Sequence, residues 1–336
     1  MWCGSLCRKV KPMLANARAR RCSVCMVCAL LLLSSGCEQH KAVNLYLDAV
    51  LYTELDEDHK AVDKLNEAVD VDPGFAFAYF LLGKIYEGLG EFEKSALYYE
   101  KTTELREESF DAFFSLGRVY ELLKEFARAA DAYARACEID PSHLGAHMGS
   151  ARSYMRLKEY DKALDYGRRA SQIAPGAVEV QQLLAAVYQS REDYNAAVAA
   201  YKRALEMDSN DVEIMLDLAV AHLRGGQYGP AKGLLESVIE KQPQDSRAHR
   251  HLGYCLLKLG DIDSGIDAYK RALEINAKDW EAHRGLGVAY MLKAFGTQGQ
   301  TLRNRAIEQW RRSLEIEPNQ PNAEVLQRLI QKHSAN

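Results

Sequence analysis

The chain has 336 residues, 48% of them apolar and 27% charged, with a formal net charge of −4. This composition excludes a disordered polymer and supplies enough apolar surface for a sizeable core. The charge balance excludes a general nucleic-acid binder, which needs a basic excess to neutralise phosphates.

The first element is a leader. No acidic residue precedes Glu38, and Arg8, Lys9, Lys11, Arg18, Arg20 and Arg21 make this stretch basic. Cys22 to Cys37 carries no charge, with leucines from Leu30 to Leu33 at its centre. Such a run is shorter than the ~20 residues of a spanning helix. A basic region, a short apolar run and small residues are the parts of an export signal. The segment Leu33-Ser34-Ser35-Gly36-Cys37 resembles the lipobox of bacterial lipoprotein signal peptides, with Ser34 where the tight pattern has an aliphatic residue. The resemblance implies that residues 1–36 are a signal peptide, that Cys37 is acylated, and that residues 37–41 are a short tether to a membrane. Met13 gives a more ordinary leader length than Met1. Removing the leader leaves 37 basic and 47 acidic residues, a charge of −10. Six of the eight cysteines lie at or before Cys37. The spacing Cys22-x-x-Cys25-x-x-Cys28 sits in an apolar run that lacks the polar surround of a metal or cluster site.

The body of the chain is periodic. AYKRALE occurs at Ala200–Glu206 and again at Ala268–Glu274, and AYARACE stands at Ala132–Glu138, so the three lie 68 residues apart. Half of that interval is 34. Units of 34 residues begin at 42, 76, 110, 144, 178, 212, 246 and 280. Position 8 of each is Ala49, Gly83, Gly117, Ala151, Ala185, Ala219, Gly253 or Gly287, always Gly or Ala. Position 20 reads Ala61, Ser95, Ala129, Ala163, Ala197, Ala231 and Gly265, with Ala306 in the same role after an insertion. Pro73, Pro141, Pro175, Pro243 and Pro318 share position 32, where one helix stops and the next begins. Positions 4, 7, 8 and 11 fall on one face of a first helix, and 20, 24 and 27 on one face of a second. Small residues at 8 and 20 allow close approach, and tyrosines at 11 and 24 fill the space beside them. One helix pair cannot bury this face alone, so neighbours stack.

This pattern resembles the tetratricopeptide repeat family over residues 42–318. The resemblance implies an all-α, right-handed superhelical solenoid of about eight helix-turn-helix units, followed by a capping helix and tail at 319–336. Asp48 and Ser150 replace the usual Leu at position 7 and are expected to loosen the first and fourth units. Seven extra residues near 291–305 read as a tolerated loop insertion or as a partner-contact element.

Catalytic and cofactor chemistry is not expected. The chain has no HExxH, GxSxG, Walker or GxGxxG pattern. His143 and His147 have the spacing of a helical metal pair. Yet His147, His249 and His283 occupy position 4 and His222 position 11, slots the repeat gives to aromatic rings. No metal site is assigned. Cys137 and Cys255 belong to the third and seventh units, too far apart for a disulfide, and are expected as free thiols.

The family resemblance implies a concave groove lined by first helices at positions such as 2, 5, 9 and 12. Position 5 includes Tyr46, Phe80, Phe114, Met148, Arg250 and Arg284; position 9 includes Lys84, Arg118, Arg152 and Tyr254. Positions 5 and 9 together hold five basic residues and no acidic one. This suggests a protein or peptide partner with apolar and acidic residues. Some relatives clamp a C-terminal carboxylate with Lys and Asn, but the Asn residues are missing here at positions 6 and 9. The resulting expectation is a non-catalytic scaffold, lipid-anchored in a bacterial cell envelope. It resembles repeat-built lipoproteins that assist pilus, secretin or outer-membrane protein assembly. A cytosolic adaptor and an accessory subunit of a separate enzyme are the alternatives.

Overall fold

A computed structural model describes residues 37–297 and 299–334, except for the side chains of 37–39, 296 and 297. The expected signal peptide, residues 1–36, lies outside them, as does the side chain of Cys37. Among the described residues there are seventeen α-helices and no strand. In pairs they are α1 (Cys37–Glu54) with α2 (Asp58–Val71), α3 (Ala76–Gly88) with α4 (Phe92–Leu105), α5 (Phe110–Leu122) with α6 (Phe126–Ile139), and α7 (Leu144–Arg156) with α8 (Tyr160–Ile173). They continue as α9 (Val178–Ser190) with α10 (Tyr194–Met207), α11 (Val212–Arg224) with α12 (Tyr228–Lys241), α13 (Ser246–Lys258) with α14 (Ile262–Ile275), and α15 (Trp280–Thr297) with α16 (Gln300–Ile316). The last helix is α17 (Ala323–Ser334). Residues 38–41, read from the sequence as a tether, are the first turn of α1.

The chain divides into two compact units, one ending at Val119 and the other starting at Tyr120. In the first, α1 to α4 pack in chain order around Leu65, Leu82 and Ile85. In the second, α6 to α17 pack in chain order, and the first helices also meet one another, α7 with α9, α11 with α13 and α13 with α15. The core of this second unit is a row of clusters, each fed by two to four neighbouring repeats. That is the expected economy of a repeat stack, in which each repeat buries its apolar face on its neighbours.

Two features of the sequence explain the regular pairing. The small residues at positions 8 and 20 are buried, and in the second repeat Ser95 Oγ donates to Gly83 O at 2.8 Å. Position 15 then turns the chain between the paired helices. It is Asp56, Gly90, Lys124, Lys158, Glu192, Gly226 and Gly260 in the first seven repeats, and each has a φ between 58° and 87°. Only three of the seven are glycine, so the turn holds four ordinary side chains in a left-handed backbone at about 1 kcal/mol or more each.

The eighth repeat departs from this rule, and the departure corrects the loop reading of the insertion. Its position 15 is Ala294, which is helical and fully buried. With no left-handed turn there, α15 runs on to Thr297 and has 18 residues where α13 has 13. The second helix of the repeat, α16, is longer too, with 17 residues against 14 in α14. The extra residues lengthen a helix pair instead of bulging from it.

The two substitutions at position 7 also have clear settings. Asp48 is exposed, so its charge keeps its water. Ser150 is fully buried with its Oγ 3.9 Å from Cys137 Sγ, and these two small groups share the space of a leucine. Cys137 and Cys255 are free and buried, on α6 and α13. Burial pushes the Cys137 thiol up to about 11, and also raises that of Cys255, so both stay protonated near neutrality.

Candidate partner-binding face

The sequence-selected residues all lie on first helices, α1, α3, α5, α7, α13 and α15. In the first unit, Tyr46, Phe80 and Phe114 occupy position 5 and are each partly exposed. Tyr46 packs edge-on against Phe75 at 5.4 Å, Phe80 against Tyr99 at 5.5 Å, and Phe114 stacks on Phe110 at 5.6 Å. Each ring is therefore held by a neighbouring aromatic while part of it stays exposed. Met148 of the second unit has the same half-buried status and packs at the edge of the core cluster around α8 to α10.

The basic residues at position 9 are not spare charges. Arg118 is ion-paired with Glu87, which also accepts a hydrogen bond from Tyr99 OH at 2.9 Å. Arg152 Nε donates to Glu121 at 3.0 Å, and Tyr133 OH donates to the same carboxylate at 3.0 Å. Both acids occupy position 12, both tyrosines position 24, and both arginines position 9 of the following repeat. The same three-residue node thus occurs twice, once in each compact unit. Burial, with Glu87 next in effect, pushes the Tyr99 phenol well above its usual value, so it remains a donor. Reading positions 5 and 9 without position 12 overstated the free positive charge of this face.

The signal that identifies Glu87 and Glu121 was present in the sequence. Where position 12 is Met155, Gln189, Leu223 or Leu257, position 9 of the next repeat is Ala186, Val220, Tyr254 or Val288. The acid and the arginine appear and disappear together. Gln189 retains the tyrosine contact, accepting from Tyr201 OH at 3.5 Å. Lys84 is the exception, because the preceding repeat has Thr53 at position 12. It is exposed and makes no ion pair among the described residues.

The remaining residues lie far along the second unit. Arg250 is paired with Asp279 at 3.0 Å and Glu281 at 2.7 Å. Arg284 lies over the Trp280 ring at 4.9 Å and donates to Pro321 O at 3.2 Å. Tyr254 is exposed, with Lys258 Nζ 5.5 Å from its ring centre. Beside them His251 is pushed down to about 4, first by burial and then by Arg250, so it is neutral at pH 7.

Four other histidines serve the fold. His147, His249 and His283 each place Nε2 against the carbonyl six residues earlier, Pro141 O, Pro243 O and Ala277 O, at 2.9 to 3.1 Å. These carbonyls share position 32, so position 4 ties each first helix to the turn before it. His143 Nδ1 accepts from Ala146 N and caps α7.

The comparisons fit this geometry. A similar fold is seen in the C-terminal part of a repeat-containing protein from Cytophaga hutchinsonii, at 12% identity and a TM-score of 0.56, over 74% of this chain and 98% of that one. A tetratricopeptide repeat protein from Parabacteroides merdae aligns at 15% identity and a TM-score of 0.52, over 74% and 99% of the two chains. A chain of the APC/C hetero-tetramer Cut9-Hcn1 aligns at 18% identity and a TM-score of 0.54, over 82% of this chain and 52% of that one. No curated protein matches the chain. The family model described as "Cilia and flagella-associated protein 70 C-terminal domain", a tetratricopeptide family, matches residues 31–286. The chain, an all-α helical repeat with three of every four residues inside that match, belongs to this tetratricopeptide family.

Proposed function

We propose that the chain is a non-catalytic scaffold that holds a protein or peptide partner on its first-helix face, and that it is a lipoprotein anchored through Cys37 in a bacterial cell envelope. Protein interaction is the general role of the tetratricopeptide fold; the anchor and the partner's chemistry are the finer reading. The observation that carries the partner surface is the run of partly exposed rings at position 5, Tyr46, Phe80 and Phe114, on the side of a helix where a merely solvated face would be polar. Lys84, which makes no ion pair among the described residues, adds a cation one turn from Phe80. Apolar side chains of a partner would cover the rings, and a carboxylate would meet the lysine.

The anchor rests on the basic leader and on Leu33-Ser34-Ser35-Gly36-Cys37. A scaffold held so close to a bilayer would gather envelope proteins for assembly. One observation favours a second reading, an unanchored cytosolic adaptor that keeps its leader. The family match starts at residue 31, six residues before Cys37.

The intact mass and the N-terminal peptide of protein from a detergent-solubilised membrane fraction of the native host separate the two. The expected result is a diacylated or triacylated peptide beginning at Cys37. An unmodified soluble chain that retains residues 1–36 discards the anchor and leaves the adaptor.

A further inference from the structure

The second unit has an apolar trough that its own fold leaves uncovered. Its volume is about 630 Å³, and it lies where α13, α15 and α17 come together. Tyr254, Val288, Leu292 and Val325 all open into it, and each is at least 40% exposed. Two departures from the repeat produce this patch. Position 13 of α15 is Leu292 where α13 has Lys258, and the elongation of α15 adds exposed Phe295 one turn beyond. The capping helix α17 has a broad apolar face: Leu326 and Ile330 are buried, Leu329 packs partly on the same core, and Val325 is left exposed in the trough.

The charges around the trough have one prevailing sign. Arg250, Lys258 and Arg284 line it with Glu281, and because Arg250 is already paired with Glu281 and Asp279, Lys258 and Arg284 carry the positive charge there. Lys258 is exposed and makes no ion pair among the described residues. The walls are helices whose backbone groups are already bonded within themselves, and Asn322 is the only side-chain amide in the lining. An extended peptide placed there would set backbone N–H and C=O groups against Val288, Leu292 and Val325, which offer them no hydrogen bond. A helix satisfies its own backbone and presents only side chains.

From these observations we propose that the trough between α13, α15 and α17 binds an amphipathic α-helix whose apolar stripe is flanked by carboxylates. This rests on the reading of the first-helix face as the partner surface, and it assigns one end of that face a defined ligand. The apolar stripe covers Tyr254, Val288, Leu292 and Val325, and a flanking carboxylate meets Lys258.

The test is fluorescence anisotropy of a labelled, side-chain-stapled helix with leucines at i, i+3, i+4 and i+7 flanked by glutamates, titrated with the full chain. Two control peptides replace the glutamates with lysines or break the helix with prolines. The expected result is saturable binding of the glutamate helix and at least tenfold weaker binding of both controls. Val288→Asp with Val325→Asp, both at exposed sites, is expected to weaken binding tenfold or more without altering the circular dichroism spectrum. Lys258→Glu is expected to shift preference toward the lysine helix. Equal affinity for all three peptides, no binding, or binding indifferent to the paired aspartates overturns the proposal. If binding instead responds only to Phe80→Ala with Phe114→Ala, the trough is discarded while the groove reading stands. If sedimentation without peptide shows a dimer that the paired aspartates dissolve, the occupant is a second copy and the proposal fails.

Discussion

Gly285→Ala is expected to destabilise the C-terminal repeats by about 1–3 kcal/mol, although alanine is the better helix former. A Cβ at residue 285 would lie 2.4 Å from Tyr269 Cζ, and one at Gly253 would lie 2.8 Å from the same ring. Tyr269 therefore sits between the first helices of two successive repeats, and both glycines are spaces made for it. Tyr269 is only 3% exposed, so its ring has little free space of its own. Either the ring must leave its site or α13 and α15 must separate, and both outcomes lose packing in the cluster around Leu286 and Trp310. Gly233 of α12 is the control, because nothing stands within 4 Å of a Cβ built there. Gly233→Ala is expected to gain about 0.5–1 kcal/mol. Chemical denaturation of both variants gives opposite signs if the tyrosine wedge is real. A matching gain at Gly285 contradicts it. Tyr269→Leu in the Gly285→Ala background should recover part of the loss, because the two changes share one contact.

Glu121→Leu is expected to cost about 1–3 kcal/mol, although its side chain is near the surface. The carboxylate serves two donors, and they differ in what they can do without it. Arg152 is partly exposed and can turn to water, so its share of the loss is small. Tyr133 is buried, so its hydroxyl loses the Glu121 carboxylate and cannot replace that bond with bulk water. Glu121→Gln should cost less than about 1 kcal/mol, because an amide oxygen still accepts from the phenol. Gln189 shows that arrangement with Tyr201. Combining Glu121→Leu with Tyr133→Phe and Arg152→Val removes donors and acceptor together and should return most of the stability. Hydrogen exchange across α5 to α7 reads the effect locally. If the triple substitution is as damaging as Glu121→Leu alone, the node is not the source of the loss.

Much of the fold was legible because the repeat converts a hard three-dimensional problem into a one-dimensional one. Eight registers of the same 34 positions average out local ambiguity, so small residues at 8 and 20 and prolines at 32 marked the helix pairs directly. The end of the eighth repeat was harder to read. Seven added residues look like a loop when counted against a period. They are helical because Ala294 replaces the left-handed turn residue and nothing in MLKAF stops the helix. The candidate face was half legible. Residues at positions 5 and 9 could be selected from helical spacing, but whether a charge there is already paired depends on contacts made 31 residues away. Glu87 with Arg118 and Glu121 with Arg152 become visible only when position 12 of one repeat is compared with position 9 of the next.

The central claim is that the first-helix face holds a partner, and photo-crosslinking in the native host tests it most directly. Benzoylphenylalanine would replace Phe80 or Phe114 on that face and, as a control, Leu97 of α4, which is exposed on a second helix. The account predicts a discrete adduct of the same partner from positions 80 and 114, lost when Lys84→Glu is added, and none from position 97. Adducts of equal yield from all three positions, or from position 97 alone, would contradict it.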